Sequence, residues 1–209
     1  MFVNKMGKHH LDYGQNCQDY GTVKGRMKLV CDGCSGGAHT EVGAKAFVHL
    51  MEQGYGIEEA FGQLFGLFGQ TPEDVRDYLC FTILMVQEEA EGFRVSYCGD
   101  GYVLLEDPEG AVTFLELGGG EYPEYYAYNY TDRSRLWHYR DGVQIKEHVF
   151  SKKQYQRAGA ATDGLRYVLR DECLRAEFTE VLCSDREAGM KRWINRHQDA
   201  LKDDLTIVW

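Results

Sequence analysis

Apolar and polar positions along the chain sort into a succession of short elements. Val3 to Met6, Tyr20 to Val23 and Met27 to Cys31 read as short strands, the last of them apolar and ending at Asp32. From about His39 to Gln53 the apolar positions Val42, Ala46, Phe47, Leu50 and Met51 recur at helical spacing, with Thr40 and Glu41 near the N-terminal end. A second helix is expected over Ile57 to Phe68, although Gly62 and Gly66 argue against it. Strand-like runs follow in quick succession at Tyr78 to Gln87, Phe93 to Cys98, Tyr102 to Glu106 and Val112 to Leu117. Their connections are too short for crossover helices, so neighbours should be antiparallel. Gly118 to Gln144 has no clean period and is expected to form loops and an edge strand. Strands near Gln144 to Phe150 and Gln156 to Thr162, helices at Leu165 to Leu169 and Asp185 to about Gln198, and a closing strand LTIVW complete the chain. Helices at both ends of an antiparallel strand block indicate an α+β or layered fold rather than a doubly wound sheet.

Composition narrows the functional classes. With 209 residues, three prolines and no linker or repeat, the chain is expected to form one domain over 1–209, large enough to bury a core without staples. Lys and Arg number 23 against 33 Asp and Glu, and the net charge of −10 repels a nucleic-acid backbone or an anionic membrane. The start, MFVNKMGKHHLDYG, has no apolar leader segment, and the longest apolar run, YLCFTILMV, is too short to span a bilayer. A soluble, cytoplasmic protein without nucleic-acid or membrane partners is therefore expected. Seven scattered cysteines, an odd number, suit free thiols and no structural disulfide.

The stretch VCDGCSGG, residues 30–37, supports two chemistries. Gly33-Cys34-Ser35-Gly36-Gly37 fits G-x-S-x-G, the turn that exposes a nucleophilic serine, yet none of His138, His148 and His197 follows a triad signature. On that reading Ser35 is an esterase nucleophile; otherwise it is a turn or helix-capping residue. The aspartates form a second pattern: Asp32-Gly33 and Asp163-Gly164 each follow a strand, Asp203-Asp204 precede the last strand, and Asp19 precedes an early one. Carboxylates at several strand ends can converge, and such oxygen donors suit Mg²⁺ or Mn²⁺. Two such ions can activate a shared water and clamp a phosphoryl oxygen. A single Asp-Gly pair is only a turn; the joint arrangement carries the metal reading. Cys31 and Cys34 form C-x-x-C without a second pair, which favours packing thiols over zinc. No cysteine has an arginine six positions on, and no G-x-G-x-x-G or G-x₄-G-K-[ST] loop occurs.

The ordered set NCQDY, VCDGCSGGAHTEVGAKAF, VSYCGDGYVLL, GAATDGL and KDDLTIVW, spread from about residue 7 to 209, resembles the PP2C-type (PPM) metal-dependent serine/threonine phosphatases in their short bacterial form. The resemblance implies two antiparallel sheets packed as a sandwich and flanked by α-helices. It implies hydrolysis of phosphoserine or phosphothreonine in a protein substrate by a water or hydroxide bridging two divalent cations, Mg²⁺ or Mn²⁺. By position, Asp32 is similar to the aspartate that bridges both ions and Gly33 to the backbone ligand, while Asp163 and Asp203 match the carboxylates of one ion. Asp19 matches an outer acid of the other ion, Asp100 a ligand of a third ion in many members, and Gln18 and Asp204 groups that orient the ligands or bound water. A subset reads G-x-x-H…QD, as in Gly7, His10, Gln18 and Asp19, which implies His10 as a contact to the substrate phosphate. Three positions depart: Gly14 stands where many members grip phosphate with arginine, Gln18 where Glu is commoner, and Cys34 where some place a histidine. These departures keep a second reading open, a weakly active or inactive module that binds a phosphoprotein. The family's variable flap falls on EYPEYYAYNYTDRSRLWHYR, whose Arg133, Arg135 and Arg140 either help hold a phosphopeptide or accompany tyrosines that cover a sheet face.

Overall fold

The computed structural model describes residues 1–120 and 122–209, with the side chain of Arg135 left aside. Ten strands form: β1 (Phe2–Lys5), β2 (Tyr20–Lys24), β3 (Met27–Cys31), β4 (Ile83–Glu88), β5 (Gly92–Cys98), β6 (Gly101–Glu106), β7 (Val112–Leu117), β8 (Lys146–Ser151), β9 (Arg157–Ala161) and β10 (Leu205–Val208). They pair antiparallel into two five-stranded sheets, in the orders β1-β10-β9-β6-β7 and β2-β3-β4-β5-β8. Among the described residues seven α-helices accompany them: α1 (Lys8–Tyr13), α2 (Thr40–Glu52), α3 (Ile57–Phe68), α4 (Pro72–Asp74), α5 (Arg166–Leu169), α6 (Glu172–Cys183) and α7 (Glu187–Arg196).

The pleat explains the layers. Successive strand residues point to opposite faces, so Val103 and Leu105 of β6 meet Val30, Leu84, Val86 and Val95 of the other sheet, while Tyr102 and Leu104 turn outward. Those outward residues lie under Leu165, Val168, Phe178, Leu182 and Trp193 of the C-terminal helices. Leu29 and Cys31, on the outer face of the second sheet, lie under α2 and α3, where Phe47, Phe61 and Phe81 pack with ring centres 5.3–5.5 Å apart. Each sheet is thus covered on both faces, and β6 is buried along its whole length. The α+β sandwich flanked by helices that the motifs implied is the observed fold.

Several local expectations differ from what forms. The apolar run from Tyr78 becomes strand only at Ile83, because Thr71 caps a helical start at Pro72 and Val75–Leu79 continues as a π-helical turn. Helix α6 has no counterpart in the predicted elements: its buried side chains are only Phe178 and Leu182, too thin a stripe to register as amphipathic. Asp171 nevertheless marks its start, accepting hydrogen bonds from the Cys173 and Leu174 amides at 3.0 Å each. Helix α1 is short and largely polar and was equally unmarked. Between 118 and 144 the described residues form 3₁₀ turns instead of an edge strand. Tyr126 and Tyr130 there pack on Phe61 and Phe65 of α3, at 5.1 and 4.5 Å, so these tyrosines cover a helix. Glu121 and the side chain of Arg135, part of the flap reading, lie outside the described residues.

Strand direction collects the acids. Tyr20 pairs with Cys31, and Ala161 pairs with both Tyr102 and Ile207, so the entry to β2, the exits of β3 and β9, the entry to β10 and the β5–β6 turn share one end of the sandwich. Gly99 makes that turn possible: its φ of 92° is left-handed, and a Cβ would lie 2.6 Å from Thr82 Cγ2. All seven cysteines are free thiols. Among the described residues, no helix is long and apolar enough to cross a membrane.

Candidate active site

A pocket of about 200 Å³ opens at this end and is lined by Asp32, Gly33, Asp100, Asp163, Asp203 and His10, among others. A cleft of about 240 Å³ adjoins it through Asp100, Thr82, Pro123 and Tyr125 and runs over Gly118–Gly120 to Lys146.

Each acid is positioned by backbone or hydroxyl contacts. Asp32 donates its amide to Thr82 Oγ1 at 3.2 Å, and its carbonyl accepts from the Thr82 amide at 2.8 Å. The Gly33 amide bonds the Gln18 carbonyl at 3.2 Å, tying the β3 exit to the β2 entry. Among the described residues the Gly33 carbonyl accepts no hydrogen bond. Asp19 is 1% exposed; its Oδ2 accepts from Thr162 Oγ1 at 2.5 Å, and its Oδ1 has no partner among the described residues. Asp203 accepts from the Asp204 amide at 3.0 Å. Asp204 also lines the pocket, but both of its oxygens are taken by protein groups: Oδ1 accepts from the Gly7 amide at 2.7 Å, and Oδ2 accepts from the Gln18 amide at 2.6 Å and lies 2.8 Å from His10 Nδ1. Gln18 braces the 33–40 loop, its Nε2 donating to Thr40 Oγ1 at 3.0 Å and to the Cys34 carbonyl at 3.2 Å, with Oε1 left buried and unpartnered.

The charge distribution is one-sided. Burial first, and then the neighbouring carboxylates, hold Asp19 and Asp32 well above the usual carboxylate range. Burial also raises Asp100 and Asp163, against the opposing pull of Arg166. The charge of Asp163 is among the causes that raise Asp32. Arg166 Nη2 lies 2.6 Å from Asp163 Oδ2 and 3.7 Å from Asp100 Oδ2 and supplies the nearby positive charge.

The donor set fits hard divalent cations. It consists of carboxylates and a free carbonyl, and Asp19 Oδ1 is a buried acceptor without a donor. Among the described residues no three Asp, Glu, His or Cys side chains form a ready-made cage. Mg²⁺ commonly keeps several waters and takes only one or two carboxylates, so binding it does not require such a cage.

The tertiary fold thus brings Asp19, Asp32, Gly33, Asp100, Asp163, Asp203, Gln18, Asp204 and His10 to one place. It does not bring Ser35 a base: Ser35 is exposed, lines the pocket and makes no side-chain hydrogen bond among the described residues. Cys31 lies under α2, whereas Cys34 meets the Tyr125 hydroxyl. Gly14 is the left-handed C-cap of α1, with φ 66°. Sequence reasoning missed Thr82, Thr162 and Arg166. Only Arg166 had a local signal, a cation three residues after Asp163 at a helical start.

No protein-family model matches the sequence, and no curated protein is similar enough in sequence to serve as a relative. Solved structures are similar in fold. The serine/threonine phosphatase Stp1 from Staphylococcus aureus superposes with a TM-score of 0.66 at 13% identity, over 99% of this chain and 92% of that one. The catalytic domain of the serine/threonine protein phosphatase PstP in complex with two manganese ions gives 0.64 at 13% identity, over 99% and 94%. RsbX in complex with magnesium gives 0.56 at 16% identity, over 99% and 90%. The chain has the fold of these proteins.

Proposed function

We propose that this chain, as one unit over 1–209, is a divalent-cation-dependent phosphatase that hydrolyses phosphoserine or phosphothreonine in proteins. The observation that carries the reading is the set of mutually repelling carboxylates at the sandwich end, Asp19 buried and the others half-buried, with Asp19 Oδ1 lacking any donor among the described residues. Neighbours of the same fold that hold two manganese ions, or magnesium, support cations as the missing counter-charge. Asp32, the Gly33 carbonyl, Asp163 and Asp203 would hold them, with Asp19 behind and Asp100 at the flank. Bound there, Mg²⁺ or Mn²⁺ would polarise the phosphoryl group and lower the pKa of an attacking water. Gln18 and Asp204 hold the loop and His10 in place.

His10 has a defined task in this scheme. It is 7% exposed and pocket-lining, and with Nδ1 held by Asp204 its Nε2 is the nitrogen left for the substrate phosphate. In the His10→Ala variant, KM for a phosphopeptide should rise about tenfold to a hundredfold, the worth of one charge-assisted hydrogen bond. An unchanged KM in steady-state kinetics would remove His10 from substrate binding.

The test of the function is hydrolysis of para-nitrophenyl phosphate and of a phosphoserine peptide with Mn²⁺. Turnover should stop with chelator and survive Ser35→Ala. Well-folded protein without metal-dependent turnover would leave the phosphoprotein-binding module, a reading that Arg166 on Asp163 and Gly14 favour. Ester hydrolysis that resists chelation but is lost in Ser35→Ala would point to the serine.

A further inference from the structure

One cluster of charge runs against the net −10 of the chain. Where α5 gives way to α6, Arg166, Arg170 and Arg175 line an open depression of about 280 Å³ together with Tyr102, Phe114 and Glu116. Arg170 and Arg175 are exposed, and neither makes an ion pair or side-chain hydrogen bond among the described residues. The guanidinium of Arg175 lies 5.7 Å from the ring centre of Phe114, which holds it against one wall. Burial pushes the Tyr102 phenol up to about 12, and Glu116 is the one carboxylate in the lining; Arg166 is paired with Asp163, which leaves the charges of Arg170 and Arg175 to the depression.

Arg166 and Arg170 are four residues apart, the spacing at which like charges on a helical turn repel. Arg175, the fourth residue of α6, adds a third guanidinium to the same lining. An anion seated there would relieve that repulsion, and the planar fork of guanidinium matches phosphate or carboxylate oxygens. Location indicates whose anion it is. Arg166 lines the depression and also reaches Asp163 at 2.6 Å, so the basic surface begins one side chain away from the acid pocket.

We propose that this depression is a substrate subsite that takes an oxyanion side chain, a second phosphorylated residue or an Asp or Glu, of the same phosphoprotein whose phosphoserine is hydrolysed. This rests on the phosphatase reading above. Arg166 joins the two surfaces, so an extended peptide, which advances about 3.3 Å per residue, can present the anion within a few positions of the scissile residue.

The test compares the intact chain with the Arg170→Glu/Arg175→Glu double variant, which leaves every acid-pocket residue in place. Phosphoserine peptides identical except for alanine, glutamate or phosphoserine at each of the four positions on either side are assayed with Mn²⁺. The wild type should prefer an anion at one or two positions by about tenfold in kcat/KM, phosphoserine above glutamate. The double variant should lose that preference and keep its rate on para-nitrophenyl phosphate. Fluorescence anisotropy of the doubly phosphorylated peptide with chelated protein gives a second readout that needs no turnover. There the variant should bind about tenfold more weakly, and inorganic phosphate should compete. A wild type indifferent to anions in both assays, or a preference that survives in the variant, overturns the subsite. Loss of turnover on every substrate in wild type, with anisotropy still sensitive to the variant, would instead overturn the phosphatase reading and keep the subsite.

Discussion

Replacing Asp32 with asparagine should lower metal-dependent kcat/KM by about 10³-fold or more while the protein stays folded. Among the acids of this end Asp32 is the most central, repelled by Asp19, Asp163, Asp203 and Asp100. A cation in the pocket needs its charge, and charge stabilisation of a phosphoryl transition state by such ions is worth several kcal/mol, about 1.4 kcal/mol for each factor of ten. The fold does not need that charge. The backbone at Asp32 is fixed by the hydroxyl and the amide of Thr82, whatever the side chain, and an amide removes a half-buried charge that is repelled by its neighbours. Melting of chelated Asp32→Asn should therefore occur at or above the wild-type temperature, and Mn²⁺ should shift it little. Kinetics beside thermal melts decide the matter: a variant with wild-type turnover and unchanged Mn²⁺ dependence would show that Asp32 holds no cation.

The second large effect is linkage between cation, protons and stability. Asp19, Asp32, Asp100 and Asp163 are held above their ordinary range, chiefly by burial. The folded chain therefore binds protons at these sites more readily than the unfolded chain does. Stability of the chelated protein should then fall as pH rises from about 4, the ordinary carboxylate value, through the raised folded values. Glu88 and Asp77, lowered by Lys152 and Arg76, pull the other way, but they lie at the solvent-exposed surface, where screening leaves them small weight. A divalent cation replaces the protons. At a hundred times its dissociation constant it should add about 2.7 kcal/mol, or about 5–10 °C for a chain of this size. The gain should be largest near pH 8 and smallest near pH 5.5, measured by calorimetry with Mn²⁺ or chelator. A melting temperature of chelated protein that climbs with pH and ignores Mn²⁺ would contradict this account of the cluster.

Much of the fold was legible in local pattern. β6 and the paired runs around it are short and dense in apolar residues, and α2 and α3 carry wide apolar stripes, including Ala44, Phe47, Val48 and Met51 in α2. α6 was not legible, since two buried residues among many charges leave the period faint. The turn at Val75–Leu79 was hidden because its apolar residues run without a break into β4. In the site, the Asp-Gly pairs could be read as strand-end acids, but Thr82 and Thr162, which lock Asp32 and Asp19, look like any strand-flanking threonine.

By itself, the sequence determined which residues are able to carry the chemistry: acids set at the ends of apolar runs, a glycine after Asp32 and after Asp163, an acidic balance, and strands too closely spaced to be parallel. Those properties are local, set by period, turn residues and composition. Only the tertiary structure decided which of them meet. Asp19 finds Thr162 across 143 residues and His10 finds Asp204 across 194, because β9 and β10 pair side by side and that sheet packs on β2 and β3. Arg166 was likewise an unremarkable cation in the sequence. Sheet packing set it against Asp163 on one side and beside Arg170 and Arg175 on the other, since long-range register depends on how whole faces bury together and not on any single stretch of chain.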